Sequence, residues 1–136
     1  MEAVELTSRE LLENAAKILS GRKAEEITAI DISGVSVLAD YFLICSGTNT
    51  TQVKTLAEEL EDKLSQLGVE PRRTEGAQSS TWIILDYGGV VIHIFHRETR
   101  RFYNLERLWA DGGSVDLSAV TGESGNENGA EPTGGI

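Results

Sequence analysis

Residues 41–46, Tyr-Phe-Leu-Ile-Cys-Ser, limit the possible folds most, because this predicted strand is apolar on both of its faces. Strands of this kind usually lie in the middle of a sheet that is covered on both sides. After a short turn, an apolar stripe from Val53 to Leu67 recurs at helical spacing. Asn49 and Gln52 have the spacing of a helix cap and its third position. The sequence therefore predicts a central strand followed by an amphipathic helix.

The N-terminal part of the chain adds a helix and a strand to this pair. Thr7 and Glu10 have the spacing of a capping box, and apolar residues at helical spacing run from there to Gly21. Residues 27–32 alternate as a strand does, and a loop follows at residues 33–37.

The C-terminal part predicts a hairpin and a last helix. Residues 81–87 and 90–96 are strand-like and flank Gly88-Gly89, which is a hairpin turn signal. Residues 69–74 contain Pro71 and predict a short edge strand. A helix is expected over residues 99–110. The fold class is therefore α/β, with a mixed sheet of four to five strands and helices on its faces.

Composition divides the chain at residue 112. Residues 112–136 are rich in Gly, Ser and Asn, hold four acidic residues, and contain no Lys or Arg. Such a segment buries too little apolar surface to offset its ordering entropy. We expect an α/β domain over residues 1–111 and an acidic, disordered tail over residues 112–136.

Charge and cysteine content limit the partners and the compartment. The net charge of -10 disfavours nucleic acid and favours a basic, protein-like partner. Cys45 is the only cysteine, and the sequence shows neither a signal peptide nor a membrane-length apolar run. A reducing, cytoplasmic setting without membrane contact is expected.

Three stretches together resemble the ribosomal silencing factor family, also called the Iojap-like family. The first is residues 39–47, Ala-Asp-Tyr-Phe-Leu-Ile-Cys-Ser-Gly, followed by Gln52-Val53. The second combines Glu75-Gly76 with residues 82–88 and 91–95, and the third lies within residues 100–111. In the third stretch the matching residues are Arg100, Tyr103, Leu105, Glu106, Leu108, Trp109 and Asp111.

The resemblance implies a fold related to nucleotidyltransferases but without their catalytic apparatus. It also implies that the chain docks on large-subunit ribosomal protein fourteen, at the face where the small subunit joins. The two subunits then fail to associate, and translation is repressed when nutrients are short. Family members are often homodimers, so the resemblance leaves room for a homodimer as well. No cofactor or metal is expected.

The predicted docking residues lie on the hairpin and the last helix. They are Trp82, Leu85, Asp86, Tyr87, His93, Phe95, Glu98, Tyr103, Glu106 and Trp109. Aromatic residues often dominate protein interfaces, but core packing explains Phe95 and Trp109 at least as well. Trp82 and Tyr87 have opposite parity on one strand, and Tyr87, beside the turn, is expected to reach the surface more easily.

The polar candidates also have structural alternatives. Asp86 is either a turn residue that binds backbone N–H groups or a charge partner for a basic surface. Glu98 and Glu106 are either partner contacts or part of a solvated helix face. His93 is either a core histidine or part of the docking patch. The four arginines of the last helix, Arg97, Arg100, Arg101 and Arg107, suggest a minor contact with ribosomal RNA or a solvated face.

Two other function classes stay open. The first is a degenerate or active nucleotidyltransferase-like enzyme, in which Ser46-Gly47 before a helix would hold a phosphate. No predicted strand carries the paired carboxylates that metal-assisted phosphoryl transfer needs, and a Gly-Lys-Ser/Thr phosphate loop is missing from the sequence. The second is a regulatory module that acts through dimerisation alone. A binding protein without catalysis is the favoured interpretation.

Overall fold

The structure is a computed structural model that describes residues 6–108 and 112–121 of the chain. Its helices are α1 (Ser8–Gly21), α2 (Thr50–Gln66), α3 (Arg97–Tyr103), α4 (Leu105–Leu108) and α5 (Ser118–Thr121). Its strands are β1 (Glu25–Asp31), β2 (Tyr41–Gly47), β3 (Arg73–Glu75), β4 (Trp82–Asp86), β5 (Val90–His96) and β6 (Gly113–Val115).

One mixed sheet organises the fold, in the strand order β3-β4-β5-β2-β1-β6. β2 and β5 are parallel, and the other neighbouring strands are antiparallel. The prediction that residues 41–46 form a central strand is confirmed, since β2 lies between β5 and β1. The sheet has six strands rather than four or five, because β6 comes from a segment predicted to be disordered.

Two capped helices cover one face of this sheet. Thr7 caps α1 in a complete capping box with Glu10, and the Asn49 side chain accepts from the backbone N–H of Gln52 at the start of α2. Both predicted caps are therefore confirmed. The apolar sides of these helices form the main core with one face of the central strands, and its largest fully buried members include Leu12, Leu19, Leu43, Leu56, Leu60, Leu64, Leu85 and Ile92.

The predicted last helix is divided into two. Asn104 adopts a left-handed conformation with φ 51 and ψ 57, and this ends α3 after Tyr103. Asn tolerates this conformation better than most residues. α4 then begins at Leu105, whose side chain is buried against the second face of the sheet. The division bends the chain sharply over that face.

The prediction that the tail is disordered is wrong for residues 112–121. β6 pairs with β1, and Leu117 enters the main core beside α1. Ser20 on α1 also donates its hydroxyl to the carbonyl oxygen of Thr121 at 3.1 Å. Composition did not predict this order, because a few apolar residues are enough to order a segment that can pair with a sheet edge and pack against a helix. Residues 122–136 lie outside the described part of the chain.

No helix within residues 6–108 and 112–121 is both long and apolar enough to cross a membrane.

Candidate functional site: an aromatic face on the sheet

The second face of the sheet carries a set of accessible apolar side chains, four from the strands and one from α3, which we call the aromatic face. It is defined by Phe42, Trp82, Ile84, Val91 and Tyr103. Strand register places Phe42 opposite Val91 and Trp82 opposite Phe95, so that these side chains share one face of the sheet. All five are partly accessible, in contrast to the fully buried residues that face α1 and α2. The aromatic face is therefore an accessible part of an otherwise mostly covered central sheet.

Trp82 is the centre of the aromatic contacts on this face. Its ring stacks on Phe95 with ring centroids 4.9 Å apart, and it contacts the Tyr103 ring at 4.7 Å. Phe95 is fully buried beneath it, so that it supports Trp82 from below. Trp82 thus joins the buried Phe95 to the exposed Tyr103 through direct ring contacts.

His93 lies under the aromatic face and fixes Trp82. The indole N–H of Trp82 donates to Nδ1 of His93 at 3.0 Å, and the Phe42 ring contacts the imidazole edge-on at 4.7 Å. Because Nδ1 accepts a hydrogen bond, the neutral imidazole carries its proton on Nε2. Burial lowers the pKa of His93 to about 4. Within the described residues Nε2 is buried without a hydrogen-bond partner. His93 is therefore a support for Trp82 rather than a direct contact residue.

A shallow groove of about 360 Å³ runs along one edge of the aromatic face. Trp82, Glu98, Phe102 and Tyr103 are among its lining residues. The exposed Glu98 places a carboxylate beside these rings, and it has no ion pair within residues 6–108 and 112–121. The rim of the groove therefore favours an apolar group next to a positive charge.

A larger groove, of about 680 Å³, lies on the opposite side of α3. Its charges are mostly paired internally: Arg97 bonds Glu25 at 2.7 Å, and Arg100 bonds Glu106 at 2.6 Å. Glu106 is therefore a partner of Arg100 and not a free charge for a docking protein.

Besides His93, three predicted docking residues are buried. Leu85 and Tyr87 point to the α1–α2 side of the sheet, and Phe95 lies beneath Trp82. The predicted opposite orientation of Trp82 and Tyr87 is confirmed, but the expectation that Tyr87 reaches the surface is wrong. Its ring packs into the main core, and burial, with smaller contributions from Glu61 and Glu70, raises the pKa of its hydroxyl. The turn position alone did not show on which face the ring packs.

Asp86 has the turn role that was one of its two predicted alternatives. Its Oδ1 accepts from the backbone N–H of Gly88 at 2.8 Å, which supports the hairpin turn. Its Oδ2 lies 3.5 Å from Nε of Arg73 on the edge strand β3. The carboxylate is half-buried at the border of the aromatic face, so a partner contact is compatible with the turn role. The predicted residue Trp109 lies outside the described residues.

Several accessible apolar residues on or beside this face were not predicted from the sequence. Ile84 and Val91 share the face of Trp82 by strand parity, a signal that was present in the alternation of the hairpin. Phe42 joins them only through the pairing of β2 with β5. Val37 and Leu38, in the loop between β1 and β2, are 102% and 83% exposed. The next residue, Ala39, is buried in the cluster that Phe42 and Val91 border, so the loop extends the face at one end.

The loop that the enzyme alternative requires is already occupied by the protein itself. Ser46 is buried and its hydroxyl accepts from Arg100, and the Thr48 N–H donates to Oε1 of Gln52 at 2.6 Å. A phosphate cradle needs such N–H groups free. Cys45 is fully buried, as predicted, and burial raises the pKa of its thiol to about 12. In the part of the chain that the structure describes, no three His, Cys, Asp or Glu side chains converge to hold a metal ion.

Comparisons with known proteins agree with this architecture. The model of the family "Ribosomal silencing factor during starvation" matches residues 5–134. The chain belongs to the ribosomal silencing factor family. It is 40% identical over 115 residues to the ribosomal silencing factor RsfS of Halalkalibacterium halodurans, covering 85% of this chain and 98% of that protein. It is 39% identical to RsfS of Bacillus subtilis, covering 82% of this chain and 95% of that protein.

A solved structure supports the fold of this silencing-factor family member independently. A crystal structure from Bacillus halodurans superposes with a TM-score of 0.72 at 39% identity and covers 80% of this chain and 99% of that one. The family name associates these proteins with the ribosome, and the resemblance found in the sequence is thereby confirmed.

Proposed function

We propose that this protein docks its aromatic face on the large ribosomal subunit, at ribosomal protein fourteen, and sterically prevents association with the small subunit. Two observations support the proposal: membership of the ribosomal silencing factor family, and an ordered aromatic face that is still accessible. Aromatic anchors of this kind often supply most of the binding energy of an interface. The mechanism needs no catalysis, because a rigid body on the joining face excludes the second subunit.

The negative charge of the chain also favours docking on a basic protein surface. The chain has a net charge of -10, and Glu98 and Asp86 border the aromatic face. An acidic protein associates faster with a basic protein surface, and the effect weakens as salt screens it. A minor contact with ribosomal RNA would rest on Arg101 and Arg107, since Arg97 and Arg100 are paired with acidic residues.

The enzyme alternative has less support. Arg100 and Gln52 occupy the groups of the Ser46–Thr48 loop that a nucleotide phosphate would need. A homodimer through the aromatic face competes with docking for the same residues, and self-association is therefore an outcome of the experiment below rather than a separate function.

Co-sedimentation with purified ribosomal subunits tests the proposal. The protein is expected in the large-subunit fraction and absent from the small-subunit fraction, and it should reduce the fraction of joined ribosomes when both subunits are mixed. Tyr103→Ala removes an accessible ring and is expected to weaken docking about tenfold or more. Leu67→Ser is the matched control, because this exposed apolar residue follows α2 and does not belong to the aromatic face.

The possible results separate the candidates. Failure of the parent protein to bind large subunits, or normal subunit joining in its presence, contradicts the proposal. Equal loss with Tyr103→Ala and Leu67→Ser places the contact elsewhere. A change in native mass with Tyr103→Ala, with no binding to subunits by any variant, favours the homodimer. Metal-dependent turnover of a nucleoside triphosphate would support the enzyme.

A further inference from the structure

Arg100 on α3 is a charged residue that is only 6% exposed. Its guanidinium reaches Oε2 of Glu106 from Nε at 2.8 Å and from Nη2 at 2.6 Å. A buried charge is costly unless it is paired and hydrogen-bonded. Every side-chain nitrogen of Arg100 has a hydrogen-bond partner, because the donors that do not bond Glu106 bond groups on the sheet.

The sheet contacts of Arg100 come from strands β1 and β2. Nη1 donates to the backbone oxygen of Glu26 at 2.7 Å and to the hydroxyl of Ser46 at 2.9 Å. Nη2 donates to the hydroxyl of Thr28 at 3.0 Å. One side chain therefore ties α3 to β1 and β2 and, through Glu106, to α4.

The bend between α3 and α4 lies between the two members of this ion pair. Asn104 makes the left-handed turn, and its N–H donates to the carbonyl oxygen of Arg100 at 2.8 Å. Tyr103 immediately precedes the turn, and its ring contacts Trp82. The direction in which Tyr103 points therefore depends on how closely Arg100 and Glu106 hold the bend.

We propose that the ion pair between buried Arg100 and half-buried Glu106 positions Tyr103 against Trp82 and so sets the shape of the aromatic face that docks. The inference rests on the proposed function for its docking readout. Arg100 and Glu106 touch no partner in this arrangement, and they act through the bend. Only arginine suits the position, since a lysine ammonium lacks the planar fork that reaches α4 and both strands at once.

A neighbouring ion pair provides a matched control. Arg97, also on α3, bonds Glu25 at 2.7 Å, but their side chains are 44% and 36% exposed. Exposed pairs contribute little to stability, and this one does not span the α3–α4 bend. Arg97→Gln therefore removes an ion pair of the same helix without moving Tyr103.

The experiment is a double-mutant cycle on docking to purified large subunits. Glu106→Gln keeps the side-chain size and removes the charge, and it should weaken docking about tenfold. Tyr103→Ala should give a similar loss. The variant with both changes should be no more than about twofold weaker than Tyr103→Ala alone, because the lost contact is the same. Arg97→Gln should stay within about twofold of the parent.

A second readout does not depend on ribosomes. Because the two rings lie 4.7 Å apart, the indole of Trp82 should shift the ring-proton resonances of Tyr103. This shift should shrink in Glu106→Gln and persist in Arg97→Gln. A purely stabilising role would lower the unfolding midpoint of Glu106→Gln without changing the Tyr103 resonances of the folded protein. If Glu106→Gln does not fold, Glu106→Asp, which keeps the charge but shortens the reach, takes its place in both measurements.

Unchanged Tyr103 resonances together with parent-like docking of the folded variant would overturn the inference, as would fully additive losses in the cycle. If the parent chain itself binds no large subunits, the proposed function fails. The resonances of Tyr103 then still decide whether the ion pair positions this ring.

Discussion

The indole N–H of Trp82 and Nδ1 of His93 form a 3.0 Å hydrogen bond between β4 and β5. The bond requires a neutral imidazole, because a protonated His93 has no lone pair with which to accept it. The most prominent aromatic residue of the accessible face is therefore held by a titratable group beneath it. Stability and the geometry of the aromatic face are consequently linked through one imidazole.

This link predicts a loss of stability in mild acid. The pKa of His93 is about 4 in the folded protein, against 6.5 for an unperturbed histidine. Well above pH 6.5 both folded and unfolded states are neutral at this position. As the pH falls from 6.5 toward 4 the unfolded state binds the proton first, and the free energy of unfolding should fall by on the order of 3 kcal/mol.

Urea unfolding of the parent and of His93→Gln as a function of pH measures this contribution. Glutamine can still accept from Trp82 but does not titrate in this range, so its unfolding free energy should depend less on pH. His96→Asn is the control, because it keeps an acceptor for the Glu98 N–H at the start of α3. Identical pH slopes for the parent and His93→Gln would show that this imidazole does not cause the acid sensitivity.

The loop that carries Val37 and Leu38 is predicted to contribute to docking. The carbonyl oxygen of Ile32 accepts from the N–H groups of Val35 and Ser36, and the Ser36 hydroxyl accepts from the N–H of Leu38 at 3.0 Å. The burial of exposed apolar side chains by a partner is favourable, and such side chains on a surface loop often mark a binding site. The change of Val37 and Leu38 together to serine should weaken binding to large subunits about tenfold.

Thermal unfolding should distinguish this effect from misfolding, since both side chains are exposed and the unfolding midpoint should not fall. Leu67→Ser serves again as the comparison. Parent-like binding by the serine variant would remove the loop from the docking surface.

Leu85 should be a stability residue and not a docking residue. It is fully buried on the side of the sheet that faces the helices, away from the aromatic face. Leu85→Ala should lower the free energy of unfolding by about 2–5 kcal/mol, through lost burial and the cavity left behind. Denaturant titration gives this value, and binding to large subunits at a temperature where the variant is folded should equal that of the parent. Weakened binding by the fully folded variant would contradict this assignment.

Two truncations should behave differently. A chain that ends after Thr121 keeps β6 and α5 and should unfold at the same urea concentration as the parent. A chain that ends after Asp111 loses the β6 ladder and the buried Leu117, and its free energy of unfolding should fall by about 2 kcal/mol or more. Equal midpoints for both truncations would show that residues 112–121 add nothing to the fold. Each truncated chain, under conditions in which it is folded, should still bind large subunits.

Local patterns in the sequence were sufficient for most of the elements. The caps at Thr7 and Asn49, the central strand at residues 41–46 and the turn at Gly88 act over a few residues, so their effects are visible in the chain itself. The division of the last helix at Asn104 was missed, because asparagine is tolerated both inside a helix and at its end. The bend is favoured by tertiary contacts with the sheet, which Leu105 and Arg100 make and which the local sequence does not show.

The sequence by itself determined the α/β class, the family and the approximate region of the candidate site, because periodicity, capping and motif order are properties of neighbouring residues. Only the tertiary structure decided which side chains a partner can reach. In it Tyr87 and Leu85 pack in the core, and His93 bonds Trp82. Arg100 pairs with Glu106, and Phe42 contacts His93 of the hairpin. Accessibility depends on which layer covers each face of the sheet, and that layer is supplied by residues far away in the chain.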